Sequence, residues 1–268
     1  SPVVLFLLLF LANQQGFAKD FPITQYGAKP GLTSLNTVSI NKAIEACFRN
    51  GGGRVVVPAG IFRTGTITMK DHVELHLEAG AVLLASTDLK DFPVQAQPRY
   101  RSQKDPGGWR ALIYANEVKD IAITGRGTID GNGAAQKPDP DSKYKSDMDG
   151  RPRNLIFISC NKIKVEGITM RNAGIWNQHY LDCEDVVVDK INVYNHANRN
   201  NDGIDIDGCR RFTLSNSTFD TDDDAIVLKS TGAAGCENVV ITNCIVSSFC
   251  NGIKAGTEST GGFKNISI

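Results

Sequence analysis

The sequence predicts an all-β fold, a single-stranded right-handed parallel β-helix (solenoid) with an N-terminal capping helix. Three observations lead there. A short phrase returns with a period of roughly 25 residues, the mark of a stacked repeat. Within each copy apolar and polar side chains alternate, as in a strand with one buried face. Ahead of the copies, one segment carries helical spacing instead.

The elements follow in chain order. Val3 to Ala12 is an unbroken apolar run, too short to span a bilayer and followed by Gly16-Phe17-Ala18 with small residues at its first and third places. It reads as a signal peptide over residues 1–18, cut after Ala18. The chain opens on Ser1-Pro2 without a basic start, so the leader is expected to be incomplete. Next, Asn36 is a helix N-cap candidate, with Ile40, Ile44, Cys47 and Phe48 at helical spacing and Gly51-Gly52-Gly53 as the stop. Such a helix would cover the open end of a parallel stack. Arg54-Val55-Val56-Val57-Pro58 then opens the first coil.

From there the phrase recurs. It is written Val118-Lys119-Asp120-Ile121-Ala122-Ile123, then Cys160-Asn161-Lys162-Ile163-Lys164-Val165 and Cys183-Glu184-Asp185-Val186-Val187-Val188. It continues as Cys209-Arg210-Arg211-Phe212-Thr213-Leu214, Cys236-Glu237-Asn238-Val239-Val240-Ile241 and Phe263-Lys264-Asn265-Ile266-Ser267-Ile268. A second strand recurs in the same coils as Ile204-Asp205-Ile206, Ala225-Ile226-Val227-Leu228 and Gly252-Ile253-Lys254-Ala255. Frequent β-branched residues, Asn, Asp and Gly disfavour a helical solenoid. The predicted domain is therefore a β-helix over residues 19–268. It stops in mid-strand, so further coils are expected beyond Ile268.

Composition narrows the function. The chain has 268 residues, 41% of them apolar, with 29 basic and 29 acidic side chains. That balance suits a folded soluble protein and removes the general positive field on which nucleic-acid binding rests. No nucleic-acid partner, no membrane association after signal cleavage, a monomer and a secreted location are expected. Seven cysteines leave at least one thiol free. Four of them hold one slot in successive coils, which reads as a buried ladder rather than as bridges. The four His residues pair with no Cys at a ligand spacing. Asn216-Ser217-Thr218 and Asn265-Ile266-Ser267 are glycosylation sequons that matter only in a eukaryotic host.

The chemistry concentrates in two strings, Asn200-Asn201-Asp202-Gly203 and Thr221-Asp222-Asp223-Asp224-Ala225, about one repeat apart. Asp202 and Asp224 each precede a small residue and then Ile, as does Asn251 one coil later. If adjacent coils stack at about 4.8 Å, the three form a row, with Asp223 beside it. Carboxylates this close cannot all ionise freely, and at least one is expected to keep a proton near neutral pH. Such a group supplies a general acid and a general base.

Together with Tyr26-Gly27-Ala28, Gly127-Thr128-Ile129-Asp130-Gly131 and Trp176-Asn177-Gln178-His179, these strings resemble glycoside hydrolase family 28, the polygalacturonases and their relatives. The resemblance runs from about Phe21 to Ile268. It implies a right-handed parallel β-helix, a pectic, uronate-containing polysaccharide as partner, hydrolysis with inversion at the anomeric carbon, and no metal or other cofactor. It puts Asp223 in the place of the general acid, with Asp202 and Asp224 activating the water, and Asn200 at the motif's leading Asn. Asn201 stands where many members carry Thr. Where polygalacturonases have Gly-His-Gly, this chain has Cys250-Asn251-Gly252, and an Arg-Ile-Lys motif would lie beyond Ile268. Both differences bear on which pectic link is cut, rhamnogalacturonan being the alternative to polygalacturonate.

Asn200, Asn251, Lys254, Lys229 and His179 are the substrate-binding candidates, and Trp176 is either a sugar platform or core. Two further readings stay open. A β-helix lyase would hold calcium on clustered Asp residues and abstract a proton with a basic one. A carbohydrate-binding or fibre-like β-helix would do no chemistry at all.

Overall fold

The computed structural model describes residues 19–95, 109–136 and 150–268. The signal peptide expected over residues 1–18 lies outside them. Three sheets run the length of the stack, one of nine strands and two of seven, and successive coils pair in parallel throughout. This is the right-handed parallel β-helix that the repeat predicts.

Each coil contributes one strand to each sheet. The recurring phrase forms the nine-stranded first sheet, where Ile163, Val186, Phe212, Val239 and Ile266 lie in one register line through the coils. The third residue of the phrase takes a positive φ in every copy: Asp120, Lys162, Asp185, Arg211, Asn238 and Asn265, all between 52° and 58°. A left-handed residue is costly outside Gly, Asn and Asp, yet here it turns the chain from the second sheet into the first once per coil. A third strand, not written out by the sequence pattern, follows the first five of these: Thr128–Asp130, Thr169–Arg171, Asn192–Asn195, Thr218–Thr221 and Ile245–Ser248.

The interior is apolar and stacked. Cys160, Cys183, Cys209 and Cys236 are buried free thiols. Those of Cys183, Cys209 and Cys236 donate to the carbonyls of Phe157, Tyr180 and Ile206 at 3.3, 3.3 and 3.1 Å. The ladder reading therefore holds. Phe157, Tyr180 and Phe212 stack edge to face through the same core, 5.6 and 5.3 Å between centroids.

Helix α1 spans Thr37–Arg49 and buries Ile40, Ala43, Ile44 and Cys47. It lies on Asp20–Pro22, Gly53–Val57 and Ile67–Thr68, closing this end of the stack. Two details differ from expectation. Asn36 occupies the N-cap, but its amide makes no bond to the helix. Its Oδ1 instead accepts from the Lys29 N–H at 2.7 Å and its Nδ2 donates to the Arg63 carbonyl at 3.2 Å, so it ties the helix to a coil. Phe48 falls on the helical spacing yet is 38% exposed, beneath the Lys70 ammonium rather than in the core. The stop is as read: at Gly52, φ +113°, a Cβ would sit 2.6 Å from the His72 carbonyl oxygen. Among the described residues no helix is long and apolar enough to cross a membrane.

Candidate active site

The site is built on the turns that carry the chain from the third sheet into the second. Register places Ile204, Ile226 and Ile253 opposite one another, so Asp202, Asp224 and Asn251 stand two residues ahead in a row, as the sequence predicts. The turn amides bond between coils: Gly203 N–H to the Asp224 carbonyl at 2.9 Å, and Ala225 N–H to that of Asn251 at 2.9 Å. Gly203 is required here, since a Cβ would lie 2.4 Å from the Ala225 oxygen and force the turns apart.

The Asp202 turn is the longest of the set, and buried amides hold it. Asn201 donates to the Ala173 and Ile175 carbonyls at 3.1 and 2.8 Å. Asn195 donates to the Asp202 carbonyl at 2.9 Å. On the next coil, the Thr221 and Ser248 hydroxyls both donate to the Asp223 carbonyl, at 2.6 and 2.7 Å. These ties fix where the carboxylates point.

The three acids have different surroundings. Asp223 is half-buried; its Oδ1 accepts the Asp224 N–H at 2.9 Å and its Oδ2 accepts from Asn200 Nδ2 at 3.4 Å. Asp224 is buried, with Oδ1 accepting from Asn251 Nδ2 and Oδ2 from Lys254 Nζ, both at 2.5 Å. Burial pushes its carboxyl up, but those two hydrogen bonds outweigh it and hold the group below the ordinary carboxylate value. Asp202 is 4% exposed, and among the described residues no cation pairs with it. Burial, then the charges of Asp205 and Asp223, push its carboxyl well above the ordinary value, against a smaller pull from Lys229. The upward shift expected of the trio thus falls on Asp202, with Asp224 held as the anion.

Asn200, Asn251 and Lys254 are all in contact with these carboxylates, so the structure brings them into the site. Lys229 and His179 stand differently. Lys229 is 5% exposed, its ammonium donating to Glu258 Oε2 at 3.2 Å and lying 4.8 Å from the Trp176 ring centroid. Burial pushes it down, but the charges of Asp205, Glu258 and Asp202 outweigh this and keep it cationic. His179 is 2% exposed, 3.2 Å from Asp207 through Nε2, with Trp109 and Trp176 edge-on to its ring. Both side chains are buried in this arrangement, unlike Asn200, Asn251 and Lys254. Trp176 is half-buried, with the Arg153 guanidinium 4.5 Å from its ring centroid.

Sequence reading missed Asp205, Arg153 and the amide clamp of Asn195. Only Asp205 left a signal, as the outward position of Ile204-Asp205-Ile206. A carboxylate oxygen from each of Asp223 and Asp224 and the Cys250 sulfur lie within 4.8 Å of one another, a possible cation seat. The Lys254 ammonium already answers the charge of Asp224 there.

Fold and site together define a solenoid whose adjacent coil turns bring the carboxylates of Asp202, Asp223 and Asp224 into one row. The glycosyl hydrolases family 28 model matches residues 47–267, and the chain belongs to that family. It is 32% identical over 252 residues to an exo-poly-alpha-D-galacturonosidase of Dickeya chrysanthemi, covering 78% of this chain and 41% of that one. It is 26% identical over 219 residues to an exopolygalacturonase of Zea mays, covering 80% and 50%. The crystal structure of a hyperthermoactive exopolygalacturonase from Thermotoga maritima matches with a TM-score of 0.78 at 24% identity, covering 92% of this chain and 65% of that one, a likeness of fold. The chain spans about half the length of the curated relatives it matches.

Proposed function

We propose that this chain is the catalytic β-helix of a secreted, monomeric glycoside hydrolase that cleaves pectic, uronate-containing polysaccharide with inversion and without a metal. The observation that carries the reading is the meeting of Asp202, Asp223 and Asp224 on adjacent turns with opposite electrostatic settings. Asp223, the most accessible of the three, protonates the glycosidic oxygen as the bond to the anomeric carbon breaks. Asp224, kept ionised by Lys254 and Asn251, takes a proton from the water that attacks the opposite face of that carbon, and Asp202 completes the seat of this water. Acid and base on either side of one bond are what inversion asks for. The two curated relatives named above, both of which carry a galacturonan activity in their names, support polygalacturonate as substrate.

Lys254 also favours hydrolysis over a calcium-dependent lyase. Calcium is held by several oxygen ligands, and here the most buried oxygen pair is already neutralised by an ammonium group. Asn251, standing where the resemblance expects His, keeps rhamnogalacturonan as the alternative polymer. The test is an assay of the full-length protein on both polymers with chelator present, following reducing ends and absorbance of unsaturated ends. Reducing ends released without ultraviolet-absorbing products support the reading. Unsaturated products, or loss of activity on chelation, would overturn it.

A further inference from the structure

Asp205 lies on the strand Ile204–Asp207, three residues after Asp202. Ile204 and Ile206 fill the core, so Asp205 and Asp207 point outward from the second sheet. An outward carboxylate on a sheet is ordinarily wet. Asp205 is instead 0% exposed, and neither of its carboxylate oxygens has a hydrogen-bond partner. Lys229 Nζ approaches to 3.9 Å of Oδ1, a charge contact beyond hydrogen-bonding reach. A buried carboxylate left without hydrogen bonds is among the costlier features a fold can keep, and it calls for a reason.

Its neighbours supply one. On its own strand and the turn before it are Asp207 and Asp202. The following coil presents Lys229 and Asp224, and beyond it lie Glu258 and Lys254. The preceding coils present Arg153 and His179, the latter engaged with Asp207. Burial, more than the pull of Lys229 and Arg153, raises the Asp205 carboxyl to about 7. After burial, the Asp205 charge is the largest of the influences pushing Asp202 upward, while Lys229 pulls both carboxyls down.

We propose that Asp205 is a positioning residue acting through Asp202: its buried charge, opposed by Lys229, sets the pH at which Asp202 releases its proton and joins Asp224 on the water. The inference deepens the hydrolase reading and rests on it for the role of Asp202. It does not need substrate for its test. Asp205 and Lys229 act on Asp202 with opposite signs, so removing each moves it in opposite directions.

The experiment is a carbon-13 titration of the full-length protein labelled at the aspartate carboxyl carbons, with Asp202 assigned by its loss in Asp202→Asn. Asp205→Asn lowers the Asp202 midpoint by about one pH unit, as expected for removal of a like charge from a shared buried site, and Lys229→Met raises it. Asp205→Glu keeps the charge and leaves the midpoint near the wild-type value, which preserves the test if Lys229→Met does not fold. The acidic limb of kcat against pH on polygalacturonate moves with the midpoint. Midpoints that stay put, or that move in the same direction in Asp205→Asn and Lys229→Met, overturn the proposal. A wild-type protein inactive on pectic polymers counts against the hydrolase reading alone, since the titration is read without substrate.

Discussion

At Asp224 two effects of opposite sign compete, burial against the hydrogen bonds of Lys254, Asn251 and Cys250. Burial favours the neutral acid; the 2.5 Å contacts from Lys254 and Asn251 favour the anion, and the anion wins. Removing Lys254 tips the balance toward burial. In Lys254→Met the Asp224 carboxyl rises and its ionised fraction falls first on the acidic side, read as an upward move of about one unit or more in its carbon-13 titration midpoint. An unmoved midpoint would show that the lysine does not set this charge. Asp223→Asn keeps the shape of the turn and removes the transferable proton, so kcat falls by about 10²–10⁴, read as reducing-end release with the fold checked by circular dichroism. Asp202 and Asp224 were legible because their spacing repeats the coil period, Asp223 because it stands next to Asp224, and Asn200 only through the family resemblance. Asp205 was not, because its pattern, Ile204-Asp205-Ile206, is that of an ordinary wet outer face. In the fold that face is covered, with Lys229 3.9 Å from Asp205 and Asp205 wholly buried, and no local pattern announces the covering.

Among the elements, the corners between the first and third sheets show how polar residues stabilise a stack without entering its core. Asp189 Oδ1 accepts from Ser215 Oγ at 2.7 Å and from Asn216 Nδ2 at 2.6 Å, both on the next coil, and Lys190 Nζ lies 2.8 Å from Oδ2. With the lysine contact first among the causes, these lower its carboxyl to about 2. A depressed folded-state pKa means that the contribution is whole above the unfolded value of about 4 and is lost as pH falls through about 2. The dependence of the melting midpoint on pH between those values should therefore flatten in Asp189→Asn, measured by scanning calorimetry, with little change at pH 7 because the corner is solvated. The same corners explain a gap in the sequence reading. First-sheet strands were readable from their alternation. Third-sheet strands such as Thr169–Arg171 have only three or four residues, too few for alternation to stand out.

Over the whole molecule the coils form one continuous core, capped at one end by α1. Each coil touches mainly its neighbours, so damage to the cap is expected to spread from that end rather than to melt the stack uniformly. Ile44, on the buried face of α1, is 1% exposed. Ile44→Ala costs about 2–5 kcal/mol. Hydrogen exchange should accelerate first in Asp20–Pro22 and Gly53–Val57 and last in Ile226–Ser230. Equal acceleration in all three would show a fully cooperative stack.

The sequence by itself determined the solenoid, its period, the capping helix, the cysteine ladder and the row of Asp202, Asp224 and Asn251. All of these are properties of residues at fixed spacing, and in a stacked repeat fixed spacing is position in space. What only the tertiary structure decided is the chemistry within that row. The anion sits on Asp224 because Lys254, thirty residues along the chain, folds back onto it. The upward shift sits on Asp202 because the fold buries it beside Asp205 and, among the described residues, pairs no cation with it. Charge state depends on burial and on contacts between coils, and those exist only once the coils are stacked.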